Sequence, residues 1–138
     1  MRLQKVPPRT VLLVSHDRRL KRQLQDCLAA IGLPATLLSS VHKNTEQLLP
    51  SAKVPPHMIL LDDSVLAQGG PTLLERLHQS APRALVVYIA SHHTAELERV
   101  VRQLGVLYYT AKPLEDFLLQ RVLASALQRS RGGGKFAA

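Results

Sequence analysis

Five short apolar runs, spaced by helix-length segments, restrict what this chain can fold into more than any other feature. Thr10–Val14 (TVLLV), Ala35–Leu38 (ATLL), Met58–Leu61 (MILL), Leu85–Ala90 (LVVYIA) and Val106–Tyr109 (VLYY) each read as a strand. They do not alternate polar with apolar residues, as strands with one wet face do. Near-continuous apolar strands are what a parallel sheet covered on both faces requires. The segments between them carry helical periodicity. Leu20, Leu24, Cys27, Leu28 and Ile31 form one stripe of a first helix that Gly32 and Pro34 end. A second, short helix is expected around Asn44–Leu49. Leu73, Leu74 and Leu77 mark a third; Leu97, Val100, Val101 and Leu104 mark a fourth, stopped by Gly105. Leu114, Leu118, Val122 and Leu123 mark the last.

Five strand-then-helix units imply a doubly wound α/β domain with right-handed crossovers. The expected fold is a flavodoxin-like, five-stranded parallel sheet in the order 2-1-3-4-5 with five helices. At 138 residues the chain is long enough for one domain. We assign that domain to residues 10–128, between a basic tail (1–9) and a basic, glycine-rich tail or linker start (129–138).

Composition excludes several classes. The longest apolar run, Ala84–Ala90, is seven residues, whereas a membrane-spanning helix needs about 20. Arg2 and Lys5 are followed by Pro7, Pro8 and Arg9, not by the apolar stretch of a secretory leader. A single cysteine, Cys27, rules out an internal disulfide framework and any multi-cysteine zinc site, and fits the apolar stripe of the first helix as core filler. The expected location is cytoplasmic. Net charge is +8, but six of the 18 Lys and Arg lie in the two tails, leaving 12 against 10 acidic residues in the body. Only Arg18, Arg19, Lys21 and Arg22 cluster inside it, and they read as the solvated start of a helix. A nucleic-acid partner is not expected for this domain.

In a doubly wound sheet the working site lies at the carboxyl ends of the strands. Ser15, His16 and Asp17 follow the first strand, Asp62 and Asp63 the third, Ala90 and Ser91 the fourth, and Lys112-Pro113 the fifth. An acidic residue and a lysine thus converge on one sheet edge. Here the sequence resembles the response-regulator receiver domain of two-component signalling, from about Thr10 to Leu127. The carriers are MILLD ending in Asp62, Gly70 eight residues beyond it, and GVLYYTAKP from Gly105 to Pro113. The resemblance implies that Asp62 stands at the phosphoacceptor position. It places Lys112 at the phosphate-contacting lysine, Pro113 in its loop, and Tyr109 at the aromatic whose rotamer changes on activation.

The departures from that pattern matter as much. Receivers carry two acidic residues after the first strand to hold Mg²⁺; this chain has Ser15 and His16. They carry Thr or Ser at the end of the fourth strand; this chain has Ala90. The usual proline four residues past the acceptor is Leu66. Mg²⁺ wants hard oxygen ligands, and phosphoryl transfer depends on it to neutralise developing charge. A hydroxyl and an imidazole are poor substitutes. Asp17 matches the residue after the usual pair and is expected to point elsewhere. Asp62 then reads either as a carboxylate in a structural ion pair with Lys112 or as a working phosphoacceptor. His16 reads as an ordinary loop residue or as a cation set beside Asp62 in place of a metal. His92-His93 reads as loop polarity, and Tyr108 and Tyr109 as one surface and one core residue, since strand neighbours face opposite sides.

The resemblance therefore implies a receiver-like signalling module, a pseudo-receiver that is not an enzyme, takes no cofactor and works by protein–protein contact. The alternative is a receiver phosphorylated on Asp62 by a histidine kinase. A small-molecule-binding flavodoxin-like domain ranks behind both, because Ser15-His16-Asp17-Arg18 offers no glycine for a phosphate loop. Expected partners are a histidine kinase or an output domain. A homodimer through the face of the fourth helix, fifth strand and fifth helix is a further possibility. With no hydroxyl at Ala90, Tyr109 is expected to sit permanently inward.

Overall fold

The computed structural model describes residues 9–33, 35–40, 56–65 and 70–128. Its elements in chain order are β1 (Arg9–Val14), α1 (Arg18–Ile31), β2 (Ala35–Ser40), β3 (Met58–Asp62), a 3₁₀ turn (Asp63–Val65), α2 (Gly70–Ser80), β4 (Leu85–Ala90), α3 (Ala95–Gln103), β5 (Tyr108–Ala111) and α4 (Asp116–Gln128). All strand pairs are parallel, in the order β2-β1-β3-β4-β5. Four helices and the 3₁₀ turn lie among the described residues. The helix expected around Asn44–Leu49, and Leu66, fall outside them. The expected fourth helix, fifth strand and fifth helix are thus α3, β5 and α4.

The apolar character of the strands follows from their two covered faces. Successive side chains point to opposite sides, so Leu12, Val14, Ile59 and Leu61 pack with Leu73, Leu74 and Leu77 of α2 and Val101 of α3. Val11, Leu13, Met58 and Leu60 pack with Leu20, Leu24 and Cys27 of α1 and Leu119 and Leu123 of α4. Every residue of β3 is buried. Each fully buried Leu or Ile contributes about 1.5–3 kcal/mol, and a polar residue on either face would forfeit that.

Helix ends are set locally. The Asp17 carboxylate accepts the N–H groups of Arg19 (2.9 Å) and Leu20 (3.2 Å), satisfying donors that the first turn of α1 leaves unpaired. Gly32 ends that helix at φ 69°, a left-handed conformation that glycine adopts without a Cβ penalty. In α3, Thr94 Oγ1 accepts the Leu97 N–H at 3.0 Å, Glu96 and Glu98 occupy the first turn, and Arg102 the last, which complements the helix dipole. None of the described helices is long and apolar enough to cross a membrane.

Several element boundaries differ from the sequence reading. β5 runs Tyr108–Ala111, not Val106–Tyr109: Val106 and Leu107 still pack on the core and the Leu107 N–H donates to Val86 O at 2.8 Å, but ladder pairing begins at Val87 and Tyr108. Arg9, counted with the basic tail, is the first residue of β1. It pairs with Ala35 and places Nη1 3.1 Å from His57 Nε2. The buried stripe of α4 is Leu119, Leu123, Ala126 and Leu127. Leu114 lies before the helix and Leu118 is half-buried, because α4 starts only at Asp116. Tyr108 is not a surface residue. It faces the opposite side from Tyr109, as strand neighbours do, but that side is covered too and Tyr108 is half-buried there.

Candidate functional site

Parallel pairing brings the ends of β1, β3, β4 and β5 to one edge. Asp62 is the last residue of β3, Ser15 follows β1, Lys112 follows β5, and the Lys112 N–H donates to Ala90 O at 3.1 Å. Asp62 is 0% exposed and Ser15 is buried. The Asp62 carboxylate receives four hydrogen bonds. Oδ1 accepts the Ser64 N–H at 3.0 Å and the Ser64 hydroxyl at 2.7 Å. Oδ2 accepts the Ser15 hydroxyl at 2.6 Å and pairs with Lys112 Nζ at 2.8 Å. An ionised carboxylate offers about four lone-pair sites, so its own chain fills them all. Burial pushes the carboxyl up, but the hydrogen bonds from Lys112, Ser15 and Ser64 outweigh it and hold Asp62 below the usual carboxylate range. Burial likewise pushes Lys112 down, and Asp62 with Asp17 more than reverses that.

Asp17 corrects one expectation. Besides capping α1 it lies 3.2 Å from Lys112 Nζ, so it joins the site instead of pointing away. Its placement follows from Ser15, whose Oγ accepts the Asp17 N–H at 2.9 Å and turns the loop back over the edge. Burial raises the Asp17 carboxyl, but the Leu20 N–H and Lys112 bring it below the ordinary value. His16, between them, is exposed and is not among the partners of Asp62. The cation beside Asp62 is Lys112, not His16. Among the described residues no group of three or more His, Cys, Asp or Glu could hold a metal ion.

A second polar cluster lies beside the first. The Tyr88 hydroxyl donates to Asp63 Oδ2 at 2.9 Å, and Asp63 Oδ1 accepts the Ser91 N–H at 2.9 Å. Tyr88 is 1% exposed, and its ring stacks on that of Tyr109 with centroids 5.9 Å apart and planes 6° from parallel. Burial and the neighbouring Asp63 push the Tyr88 phenol far above its usual value. Tyr109 is buried; its hydroxyl shares a 2.9 Å hydrogen bond with His93 Nδ1, and the Arg102 guanidinium lies 5.9 Å from its ring centroid. Ala90 is fully buried in the same cluster. Burial, Glu98 and Asp63 raise the Tyr109 phenol against a lowering by Arg102.

Ser64, Asp63, Tyr88 and His93 were not singled out as site residues by sequence reasoning. The polar Asp62-Asp63-Ser64 step at a strand end was the available signal for the first two. His93 is not mere loop polarity, since it bonds Tyr109 and lies 4.0 Å from Glu98. Neither Tyr88 nor His93 has a sequence signal, because their partners come from other strands and loops.

No family model matches the chain, and no curated protein matches it. Solved structures do. A response regulator from Thermotoga maritima aligns over 90% of this chain and 100% of its own, with a TM-score of 0.74 and 14% identity. The Mn²⁺-bound form of response regulator Rcp1 aligns over 89% and 97%, at a TM-score of 0.74 and 20% identity. A CheY-like response regulator from Mesorhizobium loti aligns over 86% and 98%, at a TM-score of 0.68 and 22% identity. Strand order, edge and neighbours agree: this chain has the fold of the response-regulator receiver domain.

Proposed function

We propose that the protein is a receiver-like signalling module of a two-component system that works by protein–protein contact, without Mg²⁺-dependent phosphorylation of Asp62. The observation that carries this reading is the saturation of the Asp62 carboxylate by Ser15, Ser64 and Lys112. A carboxylate attacks phosphorus with a lone pair, and each lone pair here already faces a donor 2.6–3.0 Å away. The ammonium of Lys112 supplies the positive charge that a divalent ion would otherwise bring.

The donor set also argues against Mg²⁺, which the fold would lead one to expect. An octahedral hard-cation site draws on one or two carboxylates with waters. Ser15 offers a neutral hydroxyl that is committed to Asp62, and His16 is exposed. Asp17 is engaged by two backbone N–H groups and by Lys112. Rcp1 is a neighbour whose structure is Mn²⁺-bound; we read this chain as having lost that capacity, and as having no turnover of its own.

The partners proposed are a histidine kinase or an output domain. A second copy of the chain is an alternative through the face of α3, β5 and α4; the similarly folded NtrC4 receiver domain forms a dimer when activated by beryllofluoride. The test is intact-mass analysis after incubation with acetyl phosphate and Mg²⁺. We expect no phosphoryl adduct. A stoichiometric adduct on Asp62 that disappears in Asp62→Asn overturns the reading and establishes phosphorylation in its place.

A further inference from the structure

We propose that Tyr88 and His93 are positioning residues for Tyr109 that hold its ring inward whatever happens at Asp62. The inference deepens the proposed function and rests on it in one respect only, that the face of α3, β5 and α4 meets partners.

Tyr109 is gripped from two sides. Tyr88 and Tyr109 are direct partners in the β4–β5 register, so their side chains leave the sheet on the same face. The offset, near-parallel stack between their rings is a favourable aromatic geometry. Tyr88 is itself fixed, because its hydroxyl is bonded to Asp63, and Asp63 is bonded to the backbone after β4. On the outer side, His93 in the loop before α3 holds the Tyr109 hydroxyl. Arg102 lies against the ring and is itself paired with Glu98 at 2.7 Å.

None of these groups hydrogen-bonds to or pairs with the Asp62 carboxylate. Its partners are Ser15, Ser64 and Lys112, and the other two residues of this edge, Asp17 and Ala90, offer Tyr109 no polar contact. Asp63 adjoins Asp62 in sequence, but both its oxygens serve the second cluster. Among the described residues the edge therefore carries two separate polar networks, one around Asp62 and one around Tyr109. With alanine at position 90, no hydroxyl of a described residue joins them. Tyr109 is fixed by the sequence of β4 and the loop after it, and the face it helps to form is permanent.

The test is ¹⁹F NMR of the full chain carrying 3-fluorotyrosine. The sequence has three tyrosines, so Tyr→Phe variants assign every resonance. We expect His93→Ala to shift and broaden the Tyr109 resonance. His93→Asn, whose amide reaches the position of Nδ1, should restore it, which a loss of general loop stability would not. Tyr88→Phe keeps the stacked ring, releases Asp63, and should also move Tyr109. Ser64→Ala removes a donor from Asp62 and should leave Tyr109 in place. A Tyr109 resonance unmoved by both His93→Ala and Tyr88→Phe overturns the proposal, as does one moved equally by Ser64→Ala. A phosphoryl adduct on Asp62 with the Tyr109 pattern as expected would sink the functional reading and leave the positioning roles standing.

Discussion

Replacing Lys112 with methionine keeps most of the aliphatic stem and removes the ammonium from Asp62. The carboxylate has no exposed surface and would retain only the Ser15 hydroxyl and the Ser64 N–H and hydroxyl. Breaking a buried ion pair at one partner costs about 3–5 kcal/mol. Two features reduce that figure here: the Lys112 side chain is 27% exposed, and three donors remain. We expect a loss of about 2–3 kcal/mol at neutral pH, or a Tm lower by about 10 °C for a domain of this size. The pH dependence gives a sharper check. In the native protein the Asp62 carboxyl lies below its ordinary value, so its stabilisation is complete above the unfolded-state value of about 3.9 and is lost as pH falls through the folded one. Without Lys112, burial faces only neutral donors, and the carboxyl should rise above its ordinary value. Its contribution is then greatest below about pH 3.9 and lost as pH rises. Urea denaturation of both proteins at pH 7 and near pH 3.5 should show the stability gap closing in acid. Equal midpoints at pH 7, or an unchanged gap in acid, would refute the reasoning.

Asp17→Ala removes the cap of α1 and the second carboxylate at Lys112, and should cost about 1–2 kcal/mol; Asp17→Asn keeps the capping oxygen and should cost far less, both read from denaturation midpoints. Leu123→Ala, at a fully buried position facing α1, should cost about 2–5 kcal/mol, whereas Leu118→Ala on the half-buried flank of α4 should cost under about 1 kcal/mol; similar losses would place the core stripe of that helix wrongly. Lys112, raised by Asp62 and Asp17 against the lowering by burial, should contribute stability that is complete below its unfolded-state value of about 10.4 and lost as pH rises through the folded one. Lys112→Met should make the alkaline decline shallower but leave the part that the raised Tyr88 and Tyr109 phenols contribute.

The sheet was readable from sequence because a parallel strand covered on both faces has no place for polar residues, so MILL and LVVYIA announce themselves. The regular alternation of strand and helix pointed to a doubly wound parallel sheet, and the order observed is one of the common orders of such sheets. The ends of β5 and α4 were not readable: Val106, Leu107 and Leu114 are apolar for packing reasons and lie just outside the elements whose cores they join. At the site, Asp62 and Lys112 were visible because each lies at or just past the carboxyl end of an apolar run, where the resemblance to receivers implies their roles. The part played by Asp17 is not readable, since its contact with Lys112 spans 95 residues of sequence and the short turn made by the Ser15 hydroxyl on the Asp17 N–H carries no periodicity. The same holds for Tyr88, which scans as one more core residue of β4, and for His93, which scans as an exposed loop residue.

The proposed absence of phosphoryl transfer requires Asp62 to be an ionised carboxylate held by its own chain. The most direct measurement is the ¹³Cγ resonance of Asp62, followed by NMR against pH with and without low-millimolar Mg²⁺. The account predicts a midpoint below the ordinary aspartate value and a curve that Mg²⁺ leaves unchanged. A midpoint at or above the ordinary value, or a saturable Mg²⁺-dependent displacement of that resonance, would contradict it.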